Sequence, residues 1–332
     1  MASFIGRRRF LAALGGSAVA WPLAARAQQS ERMRRIGVLH SLAEDDPESV
    51  ARRAAFEQAI KELGWTIGGN LRIDYRWTRN DSELIRKFAA ELVAMAPDVI
   101  LTSGSVVAGP MVRATPNIPI VFLQVIDPVG SGLIESMAHP GGNVTGFAQF
   151  EYSLAGKWLE LLTEIAPNVS RVAVLRDATR GPGIGQFAVI QAMAPPHRVE
   201  LHPINAGDPA EMERGIAAFA RAPDAGLVVT VGGTAVRRDV IVAAATKYRL
   251  PAIYAYRYFA IDGGLLSYGP DTIEPYVRAA SYVDRILRGE KPANLPAQAP
   301  TKYHLAINLK TAKALGLDVP PTLLARADEV IE

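Results

Sequence analysis

The chain has 332 residues, with 36 Lys+Arg, 33 Asp+Glu and no cysteine. The missing thiols exclude disulfides, thiolate metal sites, a cysteine nucleophile and a lipid anchor on a cleavage-site cysteine. Arg7, Arg8, Arg9 and Arg26 fall in the first 27 positions, which hold no acid, so the rest carries 32 basic and 33 acidic groups; its net charge of −1 offers no basic patch for nucleic acid.

Residues 1–27 read as a cleaved leader. Arg7-Arg8-Arg9 precede an apolar run over 10–23, and Ala25-Arg26-Ala27 supplies an A-x-A site. The run is shorter than the roughly 20 apolar residues a membrane span needs, and Pro22 breaks it. Arg7-Arg8-Arg9-Phe10-Leu11 also fits the twin-arginine pattern. With Gly6 where that pattern usually has Ser or Thr, the general secretion route stays open. The mature chain is expected to start near Gln28, in the periplasm.

From there short apolar strands alternate with amphipathic helices. A strand over 35–40 (RIGVLH) leads to Asp46-Pro47, an N-cap followed by proline at the first helical position. Val50, Ala54, Ile60 and Leu63 give that helix its expected core face, and Gly64 ends it. Strands follow over 71–77, 98–102, 118–123 and 143–147, with a helix over 81–95. The pattern restarts with a helix over 154–165 and strands over 171–176, 199–204, 226–231, 251–254 and 264–268. Helices fall near 209–221 and 235–248, and Gly181-Pro-Gly-Ile-Gly185 reads as a loop. A helix over 272–287, a proline-rich crossing over 292–300, a strand over 303–308 and two short helices complete the chain.

Strand–helix alternation implies parallel sheets covered on both faces. Two such runs predict an α/β protein with two doubly wound parallel-sheet lobes. Residues 34–149 plus about 270–295 form the first, and 150–269 plus about 296–332 the second. In such sheets ligands bind beyond the C-terminal strand ends, so the interlobe cleft is the default site.

Specific strings narrow the reading. Gly264-Leu-Leu-Ser-Tyr-Gly-Pro-Asp271 precedes Tyr282-Val-Asp-Arg-Ile-Leu-Arg-Gly289 and Lys291-Pro-Ala-Asn-Leu-Pro296. Ile307-Asn-Leu-Lys-Thr-Ala-Lys-Ala-Leu-Gly-Leu317 and Pro320-Pro-Thr-Leu-Leu-Ala-Arg-Ala-Asp328 follow; upstream lie Asp127-Pro-Val-Gly130 and His139-Pro-Gly-Gly-Asn-Val-Thr-Gly146. As a set these resemble the ABC-transporter substrate-binding family whose better-known members bind tryptophan or tyrosine. The resemblance runs from about residue 34 to the C-terminus. It implies a type I periplasmic binding fold, a multi-segment hinge, and delivery of a small-molecule ligand to an ABC permease in the inner membrane. The family is broad in ligand, with an aromatic amino acid the leading expectation.

The strand-end rule selects the candidate ligand residues. After the first strand comes Ser41, beside Glu44 and Asp45, which read as solvated charges or caps. After the third come Ser103, Gly104 and Ser105, whose hydroxyls and free N–H groups suit a carboxylate but equally suit capping of the next helix. Asp127 could pair with an ammonium or close an Asx turn before Pro128. The second half offers Asp177, Thr230, Gly232 and Tyr254. The aromatic set Tyr254, Tyr256, Tyr258, Phe259 and Tyr268 could stack on a ring or cover an apolar ligand, while about half of it would equally fill the core; Tyr254 and Tyr268 are the preferred ligand contacts. No catalytic constellation is legible: the five histidines lack metal spacing, and no G-x-S-x-G elbow or phosphate-binding Gly-rich loop occurs. The chain is therefore read as a non-enzymatic, cofactor-free, monomeric binding protein of an importer. A ligand-sensing module of the same fold, presenting its ligand to a membrane receptor, is the alternative.

Overall fold

A computed structural model describes residues 33–332 except 180, 232 and 233. The leader and Gly232 lie outside the described residues. Among those described, no helix is long and apolar enough to cross a membrane.

The first half alternates β1 (Arg34–His40), α1 (Pro47–Glu62), β2 (Leu71–Trp77), α2 (Ser82–Ala94), β3 (Val99–Ser103), α3 (Ser105–Ala114), β4 (Ile120–Val125) and β5 (Val144–Ala148). These strands form one parallel sheet in the order β2-β1-β3-β4-β5. Its inner strands read as unbroken apolar runs because both faces are covered. Ile36, Val38, Val99, Leu101, Val121 and Leu123 pack on one face with Phe56 and Ile60 of α1. Leu39, Ile100, Ile120 and Phe122 pack on the other with Ile85 and Leu92 of α2 and Val107 and Met111 of α3. The Asp46 and Asp81 carboxylates cap α1 and α2 by accepting from Glu48 N–H and from Glu83 and Leu84 N–H.

The second half holds α4 (Leu154–Ile165), β6 (Arg171–Arg176), α5 (Gly181–His197), β7 (Glu200–Asn205), α6 (Pro209–Phe219), β8 (Ala225–Val229), α7 (Arg238–Lys247), β9 (Ala252–Tyr254), α8 (Arg257–Ile261) and β10 (Leu266–Pro270). After α9 (Glu274–Leu287) come β11 (Tyr303–Asn308), α10 (Leu309–Leu315), α11 (Pro321–Leu324) and β12 (Glu329–Ile331). The second sheet runs β12-β11-β10-β9-β8-β6-β7. Its large core includes Trp158 of α4, whose indole N–H donates to the Tyr268 carbonyl at 2.7 Å.

Helix α9 follows a strand of the second sheet, yet Tyr276, Ala279, Ala280 and Val283 pack into the first-sheet core. The chain therefore crosses between the sheets three times, after β5, after β10 and before β11. Before the last crossing, Gln298 exchanges backbone hydrogen bonds with the β5 edge through Ala148 N–H and Gly146 C=O.

Several details depart from the sequence reading, among them the short helix α8 and the shift of the strand expected over 264–268 to Leu266–Pro270. Val50 and Ala54 face solvent, while Ser49, Arg52, Phe56 and Ile60 form the buried row of α1. The stretch starting at Gly181 opens a helix: Pro182 sits in the first turn, where its missing N–H costs nothing. The second sheet is mixed, because β11 returns from the first half antiparallel to β10. A further short strand, β12, pairs with β11.

Trp158 is fully buried, so replacing it leaves a large void. We expect Trp158→Ala to destabilise the fold by about 3–5 kcal/mol, read from the urea unfolding midpoint with an unchanged slope.

Candidate ligand-binding cleft

Both sheets reverse strand order at an inner strand, between β1 and β3 in the first and between β6 and β8 in the second. Loops diverge at such switch points and leave a crevice beyond the strand ends. Here the two crevices meet in one cavity. From the first half come Ser41 after β1, Gly104 and Ser105 after β3, Gln124 and Ile126 at β4, and Arg52 of α1. From the second come Pro182 of α5, Val231 after β8, and Tyr256 and Tyr258 after β9. Gln149, on the first crossing, accepts from the Tyr256 hydroxyl at 3.1 Å. Arg238 adds a bridge between the halves, 3.7 Å from Asp46 and stacked 5.2 Å from the Tyr258 ring centroid.

The β3–α3 junction resolves the capping question. Gly104 has φ 105°, and α3 begins with no side-chain cap. A Cβ on Gly104 would lie 2.8 Å from the Ser41 Oγ, so the two strand ends approach as closely as a glycine allows. Ser105 Oγ accepts from Ile126 N–H at 2.9 Å, and Ser103 Oγ is bound by the Tyr276 hydroxyl. The first turn of α3 faces the cavity through Gly104, Ser105 and Val106.

A buried polar chain holds this floor in place. His40 Nδ1 accepts from Leu42 N–H at 3.1 Å, which puts the proton of the neutral ring on Nε2. Nε2–H then faces the Tyr276 oxygen at 3.2 Å, and the Tyr276 hydroxyl donates onward to Ser103. Burial, with the nearby Arg52 charge, holds the His40 pKa well below its ordinary 6.5.

Arg52 is only 3% exposed. Its Nη2 donates to Glu48 at 3.1 Å, one turn back, and its buried Nε has no partner. Glu48 also accepts from the Thr272 hydroxyl at 2.8 Å.

The sequence-selected residues divide by position. Ser41, Gly104 and Ser105 line the cavity. Ser103 and Thr230 lie behind it, the Thr230 hydroxyl donating to Leu175 C=O at 2.7 Å. Asp177 lies at the mouth of the cleft with Asn80 and Arg237, its carboxylate accepting from Thr179 N–H and hydroxyl. Asp127 closes its own turn by accepting from Gly130 N–H at 2.9 Å. It shares a separate hollow with Tyr268, whose ring packs 5.9 Å from Tyr303. Tyr254 is fully buried against Phe259, 4.7 Å between centroids. Among the described residues no cluster of three or more His, Asp or Glu could hold a metal ion.

Arg52, Gln124 and Gln149 are cavity residues that the sequence does not single out, and Tyr256 and Tyr258, rather than the preferred Tyr254 and Tyr268, line the cavity. A signal for Arg52 did exist: Glu48, Arg52, Phe56 and Ile60 recur every four residues, placing a charge on the same row as core apolar groups.

Two α/β halves, tied by three crossings and closed over a cavity at paired switch points, make this a protein of the type I periplasmic binding fold. The sequence profile described as ABC transporter substrate binding protein matches residues 35–331, and the chain belongs to that family. A tyrosine-binding protein of Clostridioides difficile (strain R20291) is 24% identical over 288 residues, which cover 87% of this chain and 82% of the relative. A conserved domain protein of Vibrio cholerae superposes with a TM-score of 0.82 at 28% identity, over 90% of this chain and 100% of the other. The ABC domain of a Streptococcus pneumoniae protein in complex with L-Trp also gives 0.82, at 23% identity, over 90% and 99%.

The polar chain fixes a pH dependence. The unfolded chain protonates His40 below about pH 6.5, whereas the folded chain keeps it neutral to lower pH. The unfolded state then binds more protons, so this contribution to stability is complete above that pH and is lost as pH falls through it. We expect a His40→Gln variant to lack this component. The wild-type minus variant difference in stability should shrink on acidification from pH 7 to 5, by at most about 1.4 kcal/mol per pH unit, in thermal scans across that range.

Proposed function

We propose that this chain is the extracytoplasmic solute-binding component of an ABC importer. It captures a small organic ligand, an amino acid (an aromatic one foremost) or a related carboxylate, by closure of its two lobes, and hands it to a permease in the inner membrane. The observation that carries this reading is the cavity shared by both halves, with Arg52 and the α3 N-terminus on one side and Tyr256 and Tyr258 on the other. A ligand that touches both halves favours the closed form by its differential contacts. Family membership supports the transport role, and the tyrosine and tryptophan ligands of the relatives support an amino acid or a chemically similar acid. The leader over 1–27 supports export, with lobe boundaries near residues 149, 270 and 296 in keeping with the three crossings.

In this reading Ser41, Gly104 and Ser105 contact the ligand directly. Ser103 and Thr230 hold the strand ends that carry those contacts, and Asp177 lies at the entrance. Tyr256 and Tyr258 take the ring-facing role that Tyr254 and Tyr268 would otherwise fill.

The test is a thermal-shift screen of protein starting at Gln28, stripped of bound solute, against amino acids, aromatic carboxylates, short peptides and nucleosides. Ligand at 100 times Kd adds about 2.7 kcal/mol, so the midpoint should rise by several degrees with one chemical class. Deleting the gene should abolish uptake of the labelled hit, and complementation should restore it. Binding with unaffected uptake would instead place the chain in signalling.

A further inference from the structure

We propose that the ligand of this cleft is a carboxylate that carries no free ammonium group: an acid with an apolar or aromatic body rather than an α-amino acid. The inference rests on the binding-protein reading and narrows its ligand.

The anion side is doubly provided. Arg52 lines the cavity at 3% exposure, and its buried Nε has no partner. A guanidinium stays charged at any relevant pH and presents five donors, of which Glu48 engages one and the Tyr276 hydroxyl neighbours another. The uncapped first turn of α3 lines the same cavity, and free N–H groups at a helix start favour negative charge. A carboxylate would satisfy both, in the charge-assisted manner typical of arginine.

The cation side is missing. Among the described residues that line the cavity, Arg52 is the sole charged side chain; the other polar groups are hydroxyls and the amides of Asn80, Gln124 and Gln149. The acids of the neighbourhood are committed elsewhere. Glu48 is shared between Arg52 and Thr272, Asp127 caps its own turn in a separate hollow, and Asp177 holds Thr179 at the cleft mouth. An α-ammonium would leave water without gaining a carboxylate and would share the cavity with a guanidinium of its own sign. Burying an unpaired charge is costly, so the pocket discriminates against it. The remaining wall is apolar and aromatic: Leu42, Val106, Ile126 and Val231, with the Tyr256–Tyr258 pair stacked 5.1 Å apart.

The experiment is calorimetric titration of the stripped chain from Gln28 with matched pairs that differ only by the amino group. These are 3-phenylpropionate against phenylalanine, 3-(4-hydroxyphenyl)propionate against tyrosine, and indole-3-propionate against tryptophan. We expect at least one acid to bind ten-fold or more tighter than its amino acid. In Arg52→Gln that acid should lose ten-fold or more, while the matching neutral amide binds both proteins equally. If the variant fails to fold, the wild-type pairs decide alone. An amino acid binding as tightly as its deaminated partner overturns this inference and leaves the importer reading intact. Binding of neither set, with a neutral polyol or sugar bound instead, overturns the carboxylate ligand altogether.

Discussion

Everything about the cleft depends on where helix α9 buries its apolar face. Its neighbours in sequence, β10 and β11, belong to the second sheet, yet Tyr276, Ala279 and Val283 are part of the first core. Burying that face elsewhere would leave a large apolar surface wet, at about 25 cal/mol for each Å². The chain therefore crosses twice more than two independent domains would need. Three crossings tie the two halves together beside one cleft. They also keep the C-terminal strand ends of both sheets turned toward the same space.

The same helix carries the polar chain under the ligand floor. Tyr276 packs with the first core through its ring and reaches Ser103 and His40 through its hydroxyl. The alignment of β1 against β3 is thus set by side-chain bonds as well as by the ladder. Helix α9 and the ends of β1 and β3 are thereby joined by one set of side-chain bonds. Buried networks of this kind are stable only when every member is satisfied. Among the described residues, Arg52 Nε, Ser49 Oγ and Thr102 Oγ1 near the floor are buried without a partner.

The architecture was legible because its signals are local and redundant. Strands 71–77, 171–176 and 303–308 and helix 154–165 coincide with the expected bounds, and the Asp46-Pro47 start of α1 appears as read. The ligand wall was less legible, for physical reasons. Hydroxyls at strand ends can serve a ligand or the frame equally well, and the Ser103 and Thr230 hydroxyls are engaged by Tyr276 and Leu175 C=O. Tyr254 ends its strand buried in the core, while Tyr256 and Tyr258 meet the cavity because the chain leaves the strand after Tyr254 and turns into α8, which strand alternation alone does not foretell. Arg52 was hidden because its helix has a buried row that is apolar at one end and charged at the other. Gly-Pro-Gly at 181–183 looked like a loop because the residues that open a helix are also those that punctuate one.

The pairing of Gln298 with β5 also closes a sheet edge. Each sheet has two outer strands whose unpaired amides could recruit another chain, a hazard that sheet proteins limit at their edges. The four outer strands are shielded in four ways. β2 alternates Arg72, Asp74 and Arg76 along its length; β7 carries Pro203, which cannot donate; β12 is three residues long; and β5 is covered by the crossing segment itself. The proline-rich stretch is thus also a guard against edge-to-edge aggregation, and its sequence answers to that duty as well as to the crossing it makes.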